Sequence, residues 1–418
     1  MTLEKFLIKG GRALEGEVFI SGAKNSALPL MAASLLCPGK HKIENVPSLR
    51  DVHTMAELMR SFGAEVEIVD GICEIDTTGI KTLRADYELV KKMRASVLVL
   101  GPMTARYKRA EVSMPGGCAI GARPINLHLE ALRRMGADIV LEKGYVKTFT
   151  SGLRGATIYF DIPTVTGTEN IMMAAALAEG TTRIENAAKE PEVVDLAEAL
   201  TEMGAQIEGA GTDVIVVHGV KELRPMNHRV IPDRIETGTY ITAVAITGGR
   251  AVLKNTRPEH LEAVIEKMRE AGVEINIKGQ DIYVKGPSRP LSADVRTMPY
   301  PGFPTDMQAQ FMALMSIARG TSIIRESIFE NRFMHVAELR RLGADITVEG
   351  STATVRGVER LTGAPVMATD LRASASLVIA GLVAEGQTIV DRIYHLDRGY
   401  ERMEEKLNAL GAEVYRVR

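Results

Sequence analysis

The feature that most constrains the fold is a phrase that recurs six times: an amphipathic helix, then a glycine, then a strand. It reads LMRSFGAEVEI, LRRMGADIVL, LTEMGAQIEG, MREAGVEINI, LRRLGADITV and LNALGAEVYRV. The glycines lie 68 to 73 residues apart and are Gly63, Gly136, Gly204, Gly272, Gly343 and Gly411. We expect each to end its helix in the left-handed conformation, which glycine adopts without steric cost. Six units of about 70 residues therefore fill the chain.

A second kind of helix alternates with the amphipathic one. Its examples are KNSALPLMAASLL, TGTENIMMAAALAEG, TDMQAQFMALMSIARG and TDLRASASLVIAGLVAEG. Helices that are apolar on all sides are buried on all sides, whereas the helices of a solenoid keep a solvated face, which disfavours a solenoid. The sequence therefore predicts an α/β fold with two similar inside-out domains, each of three repeated βαβαββ-type units with buried helices.

The two ends of the chain predict how the domains divide. The last strand, AEVYRVR, leaves the sixth unit incomplete, and the opening segment LEKFLIKGGRALEGEVFISG holds a spare strand pair that would complete it. We therefore predict a first domain over 22–230 and a second over 1–21 plus 231–418, with HRVIPDRIE as one of two crossings. The active site is expected in the cleft between them.

Charge and cysteine content exclude several classes of protein. Lys and Arg number 51 against 53 Asp and Glu, so no basic excess favours nucleic-acid binding. No signal peptide is recognised at the N-terminus, and the longest apolar runs are too short for a membrane span. Cys37, Cys73 and Cys118 show no CxxC spacing, and the histidines show no metal-ligand spacing. We expect a cytoplasmic chain without disulfides, metal, nucleic-acid partner or membrane partner.

Cations near the starts of the buried helices are candidates for binding an anion. A helix N-terminus offers free N–H groups and a positive dipole end, but the dipole contributes only about 0.3–1 kcal/mol. Charged side chains are therefore needed to hold a phosphate group. The candidates are Lys24, Arg94, Arg123, Arg332, Arg372 and Arg398. For each one taken alone, a solvated or structural side chain is the favoured interpretation.

Cys118 stands in the glycine-rich segment MPGGCAIGARP. The segment lacks the Lys-Ser/Thr of a phosphate-binding loop, and Cys118 occupies the place of the second glycine in a dinucleotide fingerprint. Arg123 lies five residues on, and a nearby cation favours the thiolate. Cys118 is therefore either a reactive thiol or a small structural hydrophobe. Cys37 and Cys73 are interpreted as structural.

Six segments carry a family resemblance: SGAKNSALP, MPGGCAIGARP, FPTDMQAQ, FENRFMHVAEL, ATDLRASASLVIAG and DRIYHLDRGYE. With these, essentially the whole chain resembles the UDP-N-acetylglucosamine 1-carboxyvinyltransferases, a family of enolpyruvyl transferases. The resemblance implies transfer of the enolpyruvyl group of phosphoenolpyruvate to the 3′-hydroxyl of UDP-N-acetylglucosamine, with release of phosphate. This is the first committed step of peptidoglycan synthesis. It implies these two small molecules as partners and no cofactor.

The resemblance also implies roles for individual residues. Cys118 would be the general acid, able to form a covalent adduct with phosphoenolpyruvate; Asp306 would be the base for the sugar hydroxyl, and Asp370 would lie near the methylene group. Phosphoenolpyruvate would be bound by Lys24, which is also assigned to catalysis, with Asn25, Arg123, Arg332, Arg372 and Arg398. UDP-N-acetylglucosamine would be bound by Asn25, Arg94, Arg123, Pro124, Ile125, Asn126, Leu127, Thr164, Val165, Asp306 and the backbone of Ile328.

One departure and three alternatives remain at this point. Family members often have a lysine where Ile162 stands, so nucleotide contacts there are expected from the backbone or from Thr164. Asp306 could instead be a plain helix N-cap. At the level of the whole protein, the alternatives are a shikimate-pathway enolpyruvyl transferase and an inactive paralogue or repeat scaffold.

Overall fold

The structure, a computed structural model, describes residues 4–114 and 125–418. These residues form two compact units, and each is described by itself. The first unit comprises 22–114 and 125–231, and the second comprises 4–21 and 232–418. The chain passes between the units after Ser21 and after Ile231. The second of these crossings falls within HRVIPDRIE.

Within the described residues, each unit contains three mixed sheets of four strands. The strands of the first unit are β3 (Lys40–Glu44), β4 (Glu65–Val69), β5 (Ile72–Asp76), β6 (Arg84–Ala85), β7 (Arg109–Ser113), β8 (Asp138–Glu142), β9 (Tyr145–Phe149), β10 (Thr157–Tyr159), β11 (Thr181–Glu185), β12 (Gln206–Glu208), β13 (Val214–His218) and β14 (Asn227–Arg229). The strands of the second unit are β1 (Lys5–Lys9), β2 (Glu15–Phe19), β15 (Arg250–Lys254), β16 (Glu274–Lys278), β17 (Asp281–Lys285), β18 (Val295–Arg296), β19 (Thr321–Arg325), β20 (Asp345–Glu349), β21 (Thr352–Arg356), β22 (Pro365–Met367), β23 (Gln387–Asp391) and β24 (Glu413–Val417).

The helices follow the same division between units. Those of the first unit are α1 (Lys24–Ala33), α2 (Arg50–Phe62), α3 (Tyr87–Val90), α4 (Leu100–Tyr107), α5 (Asn126–Arg134), α6 (Val165–Ala176) and α7 (Pro191–Glu202). Those of the second unit are α8 (Arg234–Ile246), α9 (Glu262–Glu270), α10 (Gln308–Met315), α11 (His335–Arg341), α12 (Leu371–Gly381) and α13 (Met403–Ala409).

The two predicted kinds of helix are both present. In α8 every residue from Ile235 to Ile246 is buried, and α10 is buried along its whole length. In contrast, α2 buries one face through Val52, Met55 and Met59 and exposes the other. The six repeated glycines have φ between 88° and 109°, the left-handed conformation that only glycine adopts freely. The α/β fold with buried helices is therefore confirmed.

The edges of the sheets differ from the sequence prediction. In five sheets a short strand of two or three residues, β6, β10, β14, β18 or β22, pairs in parallel with its neighbour. Such short strands contain too few residues to show an alternating pattern. The two strands of the opening segment join different sheets. β1 completes the sixth sheet as predicted, but β2 pairs in parallel with β15. Because β1 lies between β23 and β24, neither of its edges is open to β2.

Each unit has its own hydrophobic core, built largely from its buried helices. The helices α1, α6 and α12 are rich in small side chains, are buried along most of their length and pack mainly against neighbouring helices. In the part of the chain that the structure describes, no helix combines the length and hydropathy needed to cross a membrane. Most of the predicted site residues lie near the starts of the buried helices.

Candidate active site

Three aspartates stand at the starts of the three buried helices of the second unit. Asp233 is the N-cap of α8 and accepts hydrogen bonds from the Ile235 and Glu236 amides at 2.8 and 2.9 Å. Asp370 caps α12 in the same way, at 2.8 and 2.9 Å. Asp306 differs: it lies within the 3-10 turn Thr305–Met307 that precedes α10, and Pro304 occupies the N-cap position. Asp306 is thus not a plain N-cap.

The carboxylate of Asp306 lies between two guanidinium groups. Its Oδ1 accepts a hydrogen bond from Arg332 Nη2 at 2.7 Å, and its Oδ2 lies 3.4 Å from Arg372 Nε. Both arginines are buried, whereas the Asp306 side chain is 26% exposed. The orientation of Asp306 is therefore held by the two cations, while part of its side chain faces solvent.

The two arginines are themselves held by polar neighbours. Arg332 Nη1 donates to the Thr305 hydroxyl at 3.0 Å, and that hydroxyl donates to Glu326 Oε2 at 2.9 Å. Arg372 lies 3.9 Å from Asp233 and over the ring of Tyr400, with 5.2 Å between guanidinium carbon and ring centroid. Such contacts fix the direction of each guanidinium group.

Sequence analysis did not identify Asp233, Thr305, Glu326 or Tyr400 as site residues. One signal was available for Asp233. It precedes a buried helix in PDRIE, as Asp306 does in PTDMQ and Asp370 does in ATDLR.

Glu326 also determines what Ile328 can offer to a ligand. The Ile328 amide donates to Glu326 Oε1 at 2.8 Å, and the Phe329 amide donates to the same oxygen at 3.1 Å. The backbone N–H of Ile328 is therefore already used within the protein. The nucleotide contact predicted for the Ile328 backbone would fall to its carbonyl oxygen.

Asp370 and Arg398 both lie close enough to His395 for their charges to affect its pKa. Burial lowers the pKa of His395, the charge of Arg398 lowers it further, and Asp370 raises it. Burial lowers the pKa of His335 to about 4, with Asp370 and Arg332 acting in opposite directions. Arg398 ends the 3-10 turn Ile393–Arg398. The structure thus brings together the five predicted site residues Asp306, Arg332, Asp370, Arg372 and Arg398 of the second unit.

In the first unit, Lys24 is the first residue of α1 and forms an ion pair with Asp51. The distance from Lys24 Nζ to Asp51 Oδ2 is 2.8 Å, and the Asp51 side chain is 4% exposed. Asn25 is the next residue of α1, and both are only partly buried. Asp51 lies in the first turn of α2 and was not identified from the sequence.

Several residues predicted to contact the nucleotide lie near a second pair of interacting polar side chains in the first unit. Asn170 Nδ2 and His128 Nδ1 lie 3.0 Å apart, which joins α6 to α5. Burial, and then the charge of Arg94, lower the pKa of His128 to about 4, so the ring is neutral at pH 7. Arg94 therefore lies near the residues that begin α5 and α6. These are Ile125, Asn126 and Leu127 for α5, and Thr164 and Val165 for α6.

Thr164 has a clear structural role at this place. It is the N-cap of α6, and its hydroxyl oxygen accepts a hydrogen bond from the Gly167 amide at 3.2 Å. The hydroxyl proton remains available to a ligand. Ile162, which stands where family members often have lysine, is 60% exposed.

The remaining predicted site residues, Cys118, Arg123 and Pro124, lie outside the described residues. The other two cysteines, Cys37 and Cys73, are buried free thiols. Burial raises the pKa of Cys37 to about 11 and that of Cys73 to about 12. Among residues 4–114 and 125–418, no group of three or more His, Cys, Asp or Glu side chains is arranged to hold a metal ion.

Comparison with known proteins agrees with this fold. The sequence profile of the family described as EPSP synthase (3-phosphoshikimate 1-carboxyvinyltransferase) matches residues 8–407. The enolpyruvyl transferase NikO from Streptomyces tendae superposes with a TM-score of 0.89 at 25% identity, covering 100% of this chain and 99% of that one. EPSP synthase from Acinetobacter baumannii gives 0.77 at 21% identity over the full length of both chains, which shows the fold alone. The architecture is that of the enolpyruvyl transferases.

Curated relatives narrow the assignment further. A protein of Thermodesulfovibrio yellowstonii named UDP-N-acetylglucosamine 1-carboxyvinyltransferase is 62% identical over 417 residues, 100% of each chain. A protein of the same name from Geobacter metallireducens is 60% identical over 416 residues, again 100% of each. The chain belongs to the UDP-N-acetylglucosamine 1-carboxyvinyltransferases, a branch of the enolpyruvyl transferase family.

Proposed function

We propose that this protein transfers the enolpyruvyl group of phosphoenolpyruvate to the 3′-hydroxyl of UDP-N-acetylglucosamine and releases phosphate. The observation that carries the proposal is the carboxylate of Asp306, held between Arg332 and Arg372 with one side open to solvent. A base for an alcohol needs a fixed direction and access to the substrate, and the Asp306 carboxylate is oriented by two guanidinium groups and is 26% exposed. The full-length relatives that carry this enzyme name support the choice of acceptor.

The reaction is an addition followed by an elimination. The sugar oxygen bonds to C2 of phosphoenolpyruvate as its proton leaves, and the enol electron pair takes up a proton at C3 to form a methyl group. In the second step the phosphate leaves C2 with its bonding electrons, and C3 loses a proton to restore the double bond. Asp306 would accept the hydroxyl proton, Asp370 would act at C3, and Cys118 would be the proton donor.

The cations would bind and orient the anionic groups of phosphoenolpyruvate. Lys24 and Arg398, together with Arg123, would hold the phosphate group, and Arg332 and Arg372 would face the carboxylate. Both of these latter arginines already contact Asp306. A substrate carboxylate would therefore share them, and it would be fixed beside the base that acts on the acceptor hydroxyl.

We also propose that these two small molecules, rather than a nucleic acid or a membrane, are the partners of the protein. The nearly balanced charge of the chain supports this. A cytoplasmic location is proposed as well, and the free thiols of Cys37 and Cys73 are compatible with a reducing compartment.

The test is to measure phosphate release from phosphoenolpyruvate with each acceptor in turn. We expect turnover with UDP-N-acetylglucosamine and none with 3-phosphoshikimate, and mass spectrometry should find the enolpyruvyl ether of the nucleotide sugar. Turnover only with 3-phosphoshikimate would favour the other branch of the family. Release with neither acceptor would favour an inactive paralogue.

A second test addresses the thiol of Cys118. An epoxide phosphonate of the fosfomycin type should alkylate Cys118 and leave Cys37 and Cys73 unmodified. The two buried thiols are internal controls, because burial raises the pKa of each and disfavours the reactive thiolate at neutral pH. Label spread over all three cysteines in a tryptic digest would argue against a special role for Cys118.

A further inference from the structure

A buried histidine of the first unit lies between two carboxylates that the reaction does not use. His228 is the middle residue of β14; its Nε2 lies 2.9 Å from Asp195 Oδ1 and its Nδ1 lies 3.0 Å from Glu202 Oε2. Asp195 and Glu202 are seven residues apart on α7, which is two helical turns, so they lie on one face of the helix. The imidazole ring therefore connects β14 to α7 at two points.

The geometry requires the doubly protonated ring. A neutral imidazole has one N–H donor, whereas an imidazolium has two, and here each nitrogen faces a carboxylate oxygen. Burial lowers the pKa of His228, but the hydrogen bonds and charges of Asp195 and Glu202 outweigh burial and raise it above its usual value. The two carboxylates therefore favour the cationic form of His228.

The two carboxylates differ in their access to water. The Asp195 side chain is 1% exposed and that of Glu202 is 50% exposed. Water can solvate Glu202 when its bond to the ring is lost, but it cannot reach Asp195, and an unpaired buried charge is costly. Deprotonation of the ring should therefore occur at Nδ1, and the Nε2–H bond to Asp195 should persist.

Asp195 extends the connection to the start of α1. Its Oδ2 accepts a hydrogen bond from the Ser26 hydroxyl and lies 3.5 Å from the Ile231 amide nitrogen. Ser26 directly follows Lys24 and Asn25 in the first turn of α1. We propose that His228 is a positioning residue that acts through Asp195 and Ser26 to hold the first turn of α1, and with it Lys24 and Asn25, in the direction that substrate binding requires. The consequence for catalysis rests on the function proposed above.

Other charged groups around His228 do not compete for its ring. On the neighbouring strand β3, Lys42 and Glu44 pair with each other at 2.7 Å. They lie on either side of the β3 residue that is opposite His228. Arg224 donates to the backbone carbonyl of Glu202 at 2.7 Å. His41 of β3 accepts from the Met226 amide at 3.1 Å and is neutral, because burial lowers its pKa to about 4.

The first experiment compares substitutions that keep or remove the donor to Asp195. In His228→Gln the side-chain amide can replace Nε2–H, whereas His228→Leu leaves Asp195 without this donor. We expect His228→Leu to lower kcat/KM for phosphoenolpyruvate by about 10- to 100-fold, since a small displacement of a binding group has such effects, and His228→Gln to restore most of it. The control is His218→Gln, which alters an exposed histidine 3.8 Å from Glu208.

Ser26→Ala is the second variant, because it breaks the connection without disturbing the buried ion pair. It should lower kcat/KM in the same direction as His228→Leu, while the titration of His228 followed by NMR stays unchanged. Glu202→Gln should shift that titration to lower pH. Parental kcat/KM in a folded Ser26→Ala or His228→Leu protein would overturn the proposal, as would equal damage in His228→Gln and His228→Leu.

Hydrogen exchange separates this proposal from the proposed function. Amides of the first turn of α1 should exchange faster in Ser26→Ala and His228→Leu than in the parent or in His218→Gln, whether or not the protein turns over. If the parent releases no phosphate, the proposed function fails and exchange alone decides the positioning role. Unchanged exchange in both variants would overturn it.

Discussion

The two units repeat one architecture, but their buried helices begin with different chemistry. In the second unit Asp233, Asp306 and Asp370 stand at the three starts. In the first unit Ala23 precedes α1, Met93 precedes the 3-10 turn that leads into α4, and Thr164 caps α6. A carboxylate at a helix N-terminus offsets the positive dipole end, whereas its absence leaves that end to attract an anion. The residues at these helix starts in the first unit thus lack the carboxylates that the second unit carries at the corresponding places.

In the ion pairs at these helix starts, the positions of the acid and the cation are exchanged between the two units. In the first unit the cation, Lys24, lies on a buried helix and its acid, Asp51, lies on an amphipathic helix. In the second unit the acid, Asp306, precedes a buried helix, and the arginines approach from elsewhere. Repetition therefore supplies the position of a functional residue but not its charge.

The largest effect should come from the acids of the second unit. Asp306→Asn removes a base, and we expect turnover to fall by about 100- to 10,000-fold. The melting temperature should fall as well, because the buried Arg332 and Arg372 lose this counter-charge. Asp370→Asn keeps the helix cap, since asparagine caps as well as aspartate, so its loss of turnover would report chemistry alone. The control is Asp345→Asn, at an exposed pair with Arg356. Near-parental turnover of Asp306→Asn would remove the contrast between the units.

The reversed pair in the first unit should have the next largest effect. Lys24→Met removes the cation that pairs with the buried carboxylate of Asp51, which should cost about 3–5 kcal/mol of unfolding free energy. Adding Asp51→Asn should recover most of that stability without recovering activity. Denaturant unfolding of the single and double variants measures this. Lys42→Met, at the exposed pair with Glu44, is the control and should cost far less; equal losses would mean that the Lys24 pair is an ordinary surface contact.

Acid should destabilise both units alike. Burial holds the pKa of His128 and of His335 at about 4, below their value of 6.5 in an unfolded chain. Stability is therefore complete above pH 6.5 and is lost as pH falls toward 4, because only the unfolded chain binds the proton. Each histidine should contribute a loss of about 2 kcal/mol at pH 5. Urea unfolding of His128→Gln and His335→Gln at pH 7 and pH 5 should show less acid sensitivity than the parent or the exposed-site variant His53→Gln.

The smallest effect should be at the cap of α6. Thr164→Ala removes the acceptor for the Gly167 amide and should cost about 1 kcal/mol. Thr164→Ser keeps the hydroxyl and should be close to the parent in thermal unfolding. If KM for UDP-N-acetylglucosamine rises in Thr164→Ala but not in Thr164→Ser, the hydroxyl also contacts the nucleotide. An unchanged KM in both would leave only the cap.

Features with a local signal could be predicted from the sequence. The six glycines and the two kinds of helix indicate the repeat, and the motifs around Lys24, Asp306 and Asp370 indicate the site. Partners distant in sequence could not be predicted in this way. Arg372 meets Asp306 although 66 residues separate them, and nothing near Asp51 shows that Lys24 will lie beside it. Two-residue strands such as β6 and β18 are too short to show an alternating pattern of apolar and polar residues.

The place of β1 between β23 and β24 has a consequence for how the protein is made. The strand β1 pairs only with β23 and β24, which are synthesised after nearly all of the other strands described above. At roughly 5–20 residues per second, it waits for tens of seconds, during which the contiguous first unit can fold. The four strands of this sheet, β22, β23, β1 and β24, are therefore brought together late in synthesis. Lys5 and Val417 then lie opposite each other in the β1–β24 pairing, so a short linker could join these two positions while the chain is opened in a loop elsewhere.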